Sequence, residues 1–207
     1  DGTKIAFAVY RSANFQNAQH DQVKLPNLQL GSSGRFSQIY IYNLKNRGLT
    51  KWPVLPGVND VSPAWLPDGR IMFTSNRNGF FRPLLNVIGT GKRREPRLFI
   101  ADEDGSNVED ISPHEVTAAM HPYVLNSGRV AYSSHWMSHN LAYNTTNGGI
   151  NWPGTVDNMW VLMDSDHQGG DMTALVGAHK HKIKTSRGRL KTIKAFHFLG
   201  QRKNNDI

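Results

Sequence analysis

Residues 61–77 have the sequence VSPAWLPDGRIMFTSNR, in which a short apolar segment enters a Pro-Asp-Gly turn and leaves as an alternating run. That order is typical of two strands joined by a tight turn. Gly69 supplies the positive φ that such a turn needs. The stretch MHPYVLNSGRVAYSSH at residues 120–135 has the same order, and its glycine, Gly128, lies 59 positions after Gly69. We therefore interpret the two stretches as copies of one β-hairpin.

A second hairpin recurs at nearly the same spacing. The segments QIYIYN (38–43), RLFIAD (97–102) and NMWVLM (158–163) align without a gap, and their first residues are 59 and 61 positions apart. Each segment is followed by a polar turn and a second short run. Four short strands per repeat, with little helical periodicity, are typical of β-propeller blades. We predict an all-β fold, a partial β-propeller with about three four-stranded blades and long inter-strand loops.

The repeats divide the chain into blades at about 1–56, 57–113 and 114–177, with the start of a further blade at 178–207. The opening residues match the second strand of a blade. The segment that begins at Thr192 matches a first strand and its turn. We therefore expect the chain to be a piece of one β-propeller domain, truncated at both ends inside a repeat.

The additional length of each repeat falls at one place, between the second and third strands. The three insertions, at 11–35, 78–96 and 137–157, are rich in Asn, Gly, Ser and Pro. Equivalent connections lie on the same face of a repeat protein, and surface loops often carry function. We expect the three insertions to gather into one binding surface.

Two segments carry a family resemblance. The sequence PAWLPDGRIMFTSNRNG at 63–79 resembles the repeat of TolB-type propellers, which are WD40-like and are built from PD40 repeats. DEDGSN at 102–107 resembles the second turn of that repeat. Ser127, which stands where Asp is usual, and the long loops depart from the pattern. The long loops also resemble, less closely, the propeller of the hydrazine synthase α subunit.

The resemblance implies two functions, and both stay open at this point. The first is a noncatalytic propeller module that mediates protein–protein interaction in a larger periplasmic or extracellular protein or complex. The second is the propeller domain of a larger enzyme, hydrazine synthase-like and containing haem or metal, whose active site lies outside these residues. We expect other protein chains, or the remainder of the same chain, as partners.

The composition excludes several kinds of site within these residues. Without cysteine there is no disulfide, thiolate metal site or haem-attachment motif. The chain contains neither a nucleophile elbow nor a phosphate-binding loop. No apolar stretch approaches the roughly 18 residues of a membrane span. We predict no cofactor in this segment, leave metal or haem open for a parent assembly, and expect nucleic acid not to be the partner, since only the +8 net charge favours it.

The densest cationic cluster outside the C-terminal region lies in the second insertion and its border. It comprises Lys92, Arg93, Arg94 and Arg97. Such a group can dock an acidic partner surface, although a solvated insertion explains it as well. Trp152 in the third insertion precedes a proline, as Trp52 does at a strand end. We predict exposed contacts for both, because tryptophans are enriched in interfaces.

Histidines are the remaining candidates. His135 and His139 are four residues apart, so we consider them as metal ligands, with loop hydrogen bonding as the alternative. His179 and His181 alternate with lysines, which places both imidazoles on one side of an extended strand. The neighbouring ammonium groups repel a cation, so we expect this pair to contact a partner.

Repeated aromatic residues predict the core. They occupy matching positions of the repeats, and we expect them to pack between blades rather than to hold a ligand. They are Trp65, Phe73, Phe99, Tyr132 and Trp160.

Overall fold

The computed structural model describes residues 2–11, 36–56, 58–77, 96–112, 118–136, 145–146, 149–150, 159–176, 181–193 and 200–202. Within these ranges the regular structure is all strand, with no helix. The described residues also include no helix with the length and apolarity needed to cross a membrane. The predicted all-β class is confirmed.

The strands fall into three larger sheets and two hairpins, and every paired neighbour is antiparallel. The first sheet contains β1 (Lys4–Arg11), β2 (Phe36–Asn43) and β3 (Leu49–Lys51). The second sheet contains β4 (Asp60–Trp65), β5 (Ile71–Ser75), β6 (Arg97–Ala101) and β7 (Glu109–Asp110). The third sheet contains β8 (Ala118–Val124), β9 (Val130–Trp136), β12 (Met159–Ser165) and β13 (Thr173–Val176). The hairpins are β10 (Thr145–Thr146) with β11 (Gly149–Ile150), and β14 (His181–Lys184) with β15 (Leu190–Ile193).

Strand order follows chain order in each of the three sheets. The second and third sheets have four strands each, and the first has three described strands. Meanders of this kind are compatible with consecutive blades of a partial β-propeller. The long insertions join β1 to β2, β5 to β6 and β9 to β12, as predicted, and most of their residues lie outside the described ranges.

Three hairpin turns share one backbone geometry. Gly69, Gly128 and Gly188 have φ of 89°, 84° and 73°. Each donates its amide hydrogen to the carbonyl oxygen three residues earlier, over 3.1, 2.9 and 2.8 Å. The third of these turns joins β14 to β15. The prediction that a first strand begins at Thr192 is therefore wrong, because Thr192 lies in the second strand of this hairpin, opposite Lys182.

This hairpin was not recognised in the sequence because its strands are rich in lysine and its turn contains two arginines. Its turn, TSRGR at residues 185–189, lacks the Asp-Gly pair of the second sheet. Gly188 nevertheless follows Gly128 by 60 positions, which continues the spacing of the earlier glycines. The spacing of the turn glycines is thus a better guide to the repeat than apolar content.

The first strands of the second and third sheets share a β-bulge. Ser62 and His121 have φ of 52° and 55°, and each precedes a proline. The strand register shifts at both positions, between Val61 and Ala64 and between Met120 and Tyr123. Proline has no amide hydrogen for the ladder, so a bulge accommodates it within the sheet.

The third strands of the second and third sheets are not equivalent in the way that the ungapped sequence alignment predicted. Arg97 pairs with Ser75 in the second sheet, and Val161 pairs with Ser134 in the third. Because Ser75 and Ser134 are equivalent, Val161 takes the position that we predicted for Asn158, which itself lies outside the described residues. The alignment was displaced by three residues because it matched apolar content and ignored the turn that follows. In the turns, Asp166 and Gly169 repeat the hydrogen bond of Asp102 and Gly105.

The second sheet is buried on both faces. One face packs on the first sheet through a cluster that includes Ile39, Ile41, Trp52, Ile71, Phe73, Phe99 and Ala101. The other packs on the third through a cluster of Leu66, Met72, Leu98, Ile100, Ile111, Ala119, Val130, Tyr132, Val161 and Met163. Every residue of β5 and β6 is buried, which explains why Ile71–Phe73 and Leu98–Ala101 are apolar without alternation. The predicted core positions of Phe73, Phe99 and Tyr132 are confirmed, Trp65 is half-buried against the first cluster, and the Trp160 side chain lies outside the described part.

Neighbouring sheets lie side by side in the same orientation. Gly105 lies so close to the Trp52 ring that an added Cβ would be 2.8 Å from it, and Gly169 abuts the backbone of Ile111 in the same manner. The Trp52 amide donates to the carbonyl oxygen of Ile39, and the Ile111 amide donates to that of Leu98. Trp52 and Ile111 therefore occupy equivalent positions of the first and second sheets. We call the end of the sheets that carries these short turns the turn end, and the opposite end, where the long insertions begin, the loop end.

Candidate functional site

Buried polar side chains lie at the loop end of β2, β4 and β5. We call this group the polar layer: Ser37, Gln38, Asn59, Asp60, Ser75, Asn76 and Arg77. All but Arg77 are classed as buried, and Arg77 is 14% exposed at its side chain. Burying polar groups costs free energy unless hydrogen bonds replace water. We therefore describe the hydrogen-bond and ion-pair partners of the polar layer.

An ion pair lies at the centre of the polar layer. Arg77 Nη2 contacts Asp60 Oδ2 at 2.5 Å, and Arg77 Nε donates to the Ser75 hydroxyl at 3.3 Å. The guanidinium also lies over the rings of Phe73 and Phe99, 5.1 and 5.9 Å from their centroids. The cation is thus fixed by a carboxylate, a hydroxyl and two aromatic faces. This arrangement holds the end of β5, where the second insertion begins, in one position.

Burial raises the pKa of Asp60 above its ordinary value, and this effect exceeds the opposing effects of the Arg77 charge and of the hydrogen bonds from Ser75 and Arg77. The carboxylate is thus less favourable in the folded chain than in the unfolded chain, even though it is paired. This is the usual balance for a buried ion pair, whose desolvation offsets much of the attraction.

Amide and hydroxyl groups connect the first and second sheets at the same end. The backbone amide of Asn59 donates to Asn76 Oδ1 at 2.6 Å, and the Ser37 hydroxyl donates to Asn59 Oδ1 at 3.3 Å. Ser37 and Asn59 also form an isolated parallel bridge. Gln38 Nε2 donates to the carbonyl oxygen of Trp52. Buried hydrogen bonds of this kind make a position rigid, so the contact between Ser37 and Asn59 holds the first and second sheets together at the loop end.

Arg97 lies at the base of the second insertion, as the first residue of β6. Its side chain is mostly buried, with Nε 3.1 Å from Asp110 Oδ2. The next residue is held at the end of the sheet, because the Leu98 amide donates to Ser112 Oγ at 2.9 Å.

Comparison with protein-family models and with curated proteins finds no match. Lys92, Arg93 and Arg94 lie outside the described residues.

The other predicted site residues also fall largely outside the described part. His135 is in β9 and His181 is in β14, but their side chains are not described. His139, Trp152 and His179 lie outside the described ranges altogether. Among the described residues, no group of three or more His, Asp or Glu side chains is placed to hold a metal ion. The metal and partner assignments of these residues stay predictions.

The structure corrects the predicted exposure of Trp52. It is 1% exposed and packs edge-on against Phe73, with ring centroids 4.9 Å apart. Its Nε1 donates to the carbonyl oxygen of Glu103 at 2.8 Å. Trp-Pro at a strand end suggested a surface residue, whereas the position after the last strand of the first sheet faces the turn of the second. The equivalent residue of the second sheet, Ile111, is likewise buried.

The turn end has an ion-pair network that the sequence did not reveal. Arg129 Nε contacts Asp164 Oδ2 at 2.6 Å, and Arg129 Nη1 contacts Asp171 Oδ2 at 2.8 Å. These contacts raise the pKa of Arg129, with the hydrogen bond to Asp164 as the largest cause. The network ties the two turns of the third sheet together. A sequence signal for this network exists: an arginine follows the turn glycine Gly128, and aspartates surround the later turn of the same sheet.

A shallow cleft at the turn end is lined by Thr50, Asp102, Glu103 and Asp104, with a volume of about 350 Å³. Its carboxylates already have partners within the protein. Asp104 Oδ1 accepts from the Ser106 hydroxyl at 2.6 Å, and Glu103 Oε2 contacts Lys4 Nζ at 2.5 Å. The predicted hairpin turn at Asp102 is confirmed. The bond of Asp104 lies within this turn, and the bond of Glu103 joins the turn to the first sheet.

Proposed function

We propose that this chain is a noncatalytic β-propeller module that mediates protein–protein interaction within a larger periplasmic or extracellular protein or complex. One observation carries the proposal: consecutive sheets pack by the same positions. Ile39, Ile41 and Trp52 of the first sheet cover the second, as Leu98, Ile100 and Ile111 of the second sheet cover the third. The location follows from the family resemblance of residues 63–79 and 102–107.

Serial packing favours a propeller because each sheet needs a neighbour on both faces to bury its apolar side chains. The second sheet has both neighbours, and its central strands are fully buried. A sandwich would require only one covered face per sheet, with alternating polar residues on the other. The apolar runs Ile71–Phe73 in β5 and Leu98–Ala101 in β6, buried on both faces, therefore support a series of blades.

The loop end is the proposed binding surface. The three insertions begin and end at one end of adjacent sheets, and the polar layer fixes the bases of the first two. A fixed base lowers the entropy that a loop loses when it binds a partner. The cationic side chains at Lys92, Arg93 and Arg94 fit an acidic surface on the partner.

Site-specific photocrosslinking tests this surface. A photoreactive phenylalanine analogue would replace Arg93 or Trp152 at the loop end, and Lys45 or Ser106 at the turn end as matched controls. In the organism that encodes the chain, we expect the loop-end positions to yield a discrete adduct with another protein chain. Adducts from the turn-end positions alone, or no adduct from any position, would contradict the proposal.

A charge reversal tests the chemistry of the partner. Replacing Lys92, Arg93 and Arg94 by glutamate should weaken capture of the crosslinked partner at least tenfold, because like charges would then face each other. Replacing Lys45 and Arg47 at the turn end by glutamate is the matched control and should leave capture unchanged. Equal losses in the two variants would assign the effect to overall charge and overturn the assignment to the loop end.

A further inference from the structure

We draw no further inference here: the strongest candidate, the exposed apolar patch of Val54 and Leu55 in the segment between β3 and β4 at the loop end, carries no proposal because nothing in the described part of the structure shows what covers it.

Discussion

The first and second sheets carry the same aromatic pair in two different surroundings. Phe7 and Tyr40 have ring centroids 5.8 Å apart, and the equivalent rings of Phe73 and Phe99 are 5.9 Å apart. Phe73 and Phe99 are both buried beneath the first sheet, whereas in the first sheet Tyr40 is buried and Phe7 is half-exposed. The local sequence thus forms the pair in both sheets, while full burial of the ring on the inner strand accompanies a neighbouring sheet. A single sheet of this repeat does not bury all of its own side chains.

The largest expected difference between the two sheets is the cost of removing these rings. We expect Phe73→Ala to lower the free energy of unfolding by about 4 kcal/mol, because a fully packed ring leaves a cavity. We expect Phe7→Ala to cost about 1 kcal/mol, since water already contacts this ring. Urea denaturation of both variants measures the difference. Equal costs would show that the first sheet is covered in solution.

The cations that lie over these rings give the second comparison. Arg77→Met leaves the buried carboxylate of Asp60 without its partner, and we expect a loss of about 3 kcal/mol. Lys51 Nζ lies 5.8 Å from the Tyr40 ring centroid, but Lys51 is exposed. Lys51→Met should therefore cost less than about 0.5 kcal/mol. The same denaturation measurement applies, and a cost below 1 kcal/mol for Arg77→Met would contradict the described ion pair.

The packing between the two sheets can be probed at turn glycines. Gly105 and Gly69 have similar positive φ, but an added Cβ meets the Trp52 ring only at Gly105, and at Gly69 it meets nothing within 4 Å. Gly69→Ala measures the backbone cost alone, about 1 kcal/mol. We expect Gly105→Ala to cost about 1.5 kcal/mol more, because the tryptophan must shift. Equal melting temperatures for the two variants would argue against contact between the first and second sheets.

The smallest expected effect is a pH dependence at Asp60. Because its folded-state pKa is raised, the folded chain binds the proton more tightly than the unfolded chain does. Stability from this group is therefore fully present below the ordinary carboxyl pKa and falls as pH rises through the raised value. The stability of the unmodified chain relative to Asp60→Asn should increase between pH 7 and pH 4.

Asp68 is the matched control for the pH experiment. Burial raises the pKa of Asp68, but the backbone and side-chain hydrogen bonds from Arg70 together lower it by more, so the net shift of the pKa is downward. The stability of the unmodified chain relative to Asp68→Asn should be constant from pH 7 to about 5 and decrease as the pH falls below about 4, towards the lowered folded-state value. If both variants show the same sign, the burial of Asp60 is not as described.

Periodicity in the sequence predicted the serial arrangement of strands and the placement of the insertions, because turn glycines and apolar runs are local properties. It also predicted Phe73 and Tyr132 as core residues. The burial of Trp52 was not predictable in this way, since the ring is covered by a turn 53 positions later, at Gly105. Local patterns do not reveal which neighbouring sheet faces a residue at a strand end.

The candidate site shows the same limit. The charged residues of the insertions were visible as clusters, but the ion pair between Asp60 and Arg77 was not, because it joins the start of one strand to the end of the next. The sequence also gave no sign that Ser37 and Asn59 bridge two sheets. Such polar contacts depend on register at strand ends, and that register is set by tertiary packing.

Paired cysteines test most directly whether the first and second sheets pack side by side, and the chain has no cysteine of its own. Two double variants would be oxidised and their free thiols counted: Trp52→Cys with Gly105→Cys, and Trp52→Cys with Gly69→Cys as the control, since an added Cβ at Gly69 meets nothing within 4 Å. A disulfide forms only when the two Cβ atoms lie about 4 Å apart. We predict a disulfide in the first variant and free thiols in the control. Free thiols in the first variant, or a disulfide in the control, would contradict the serial packing of the sheets.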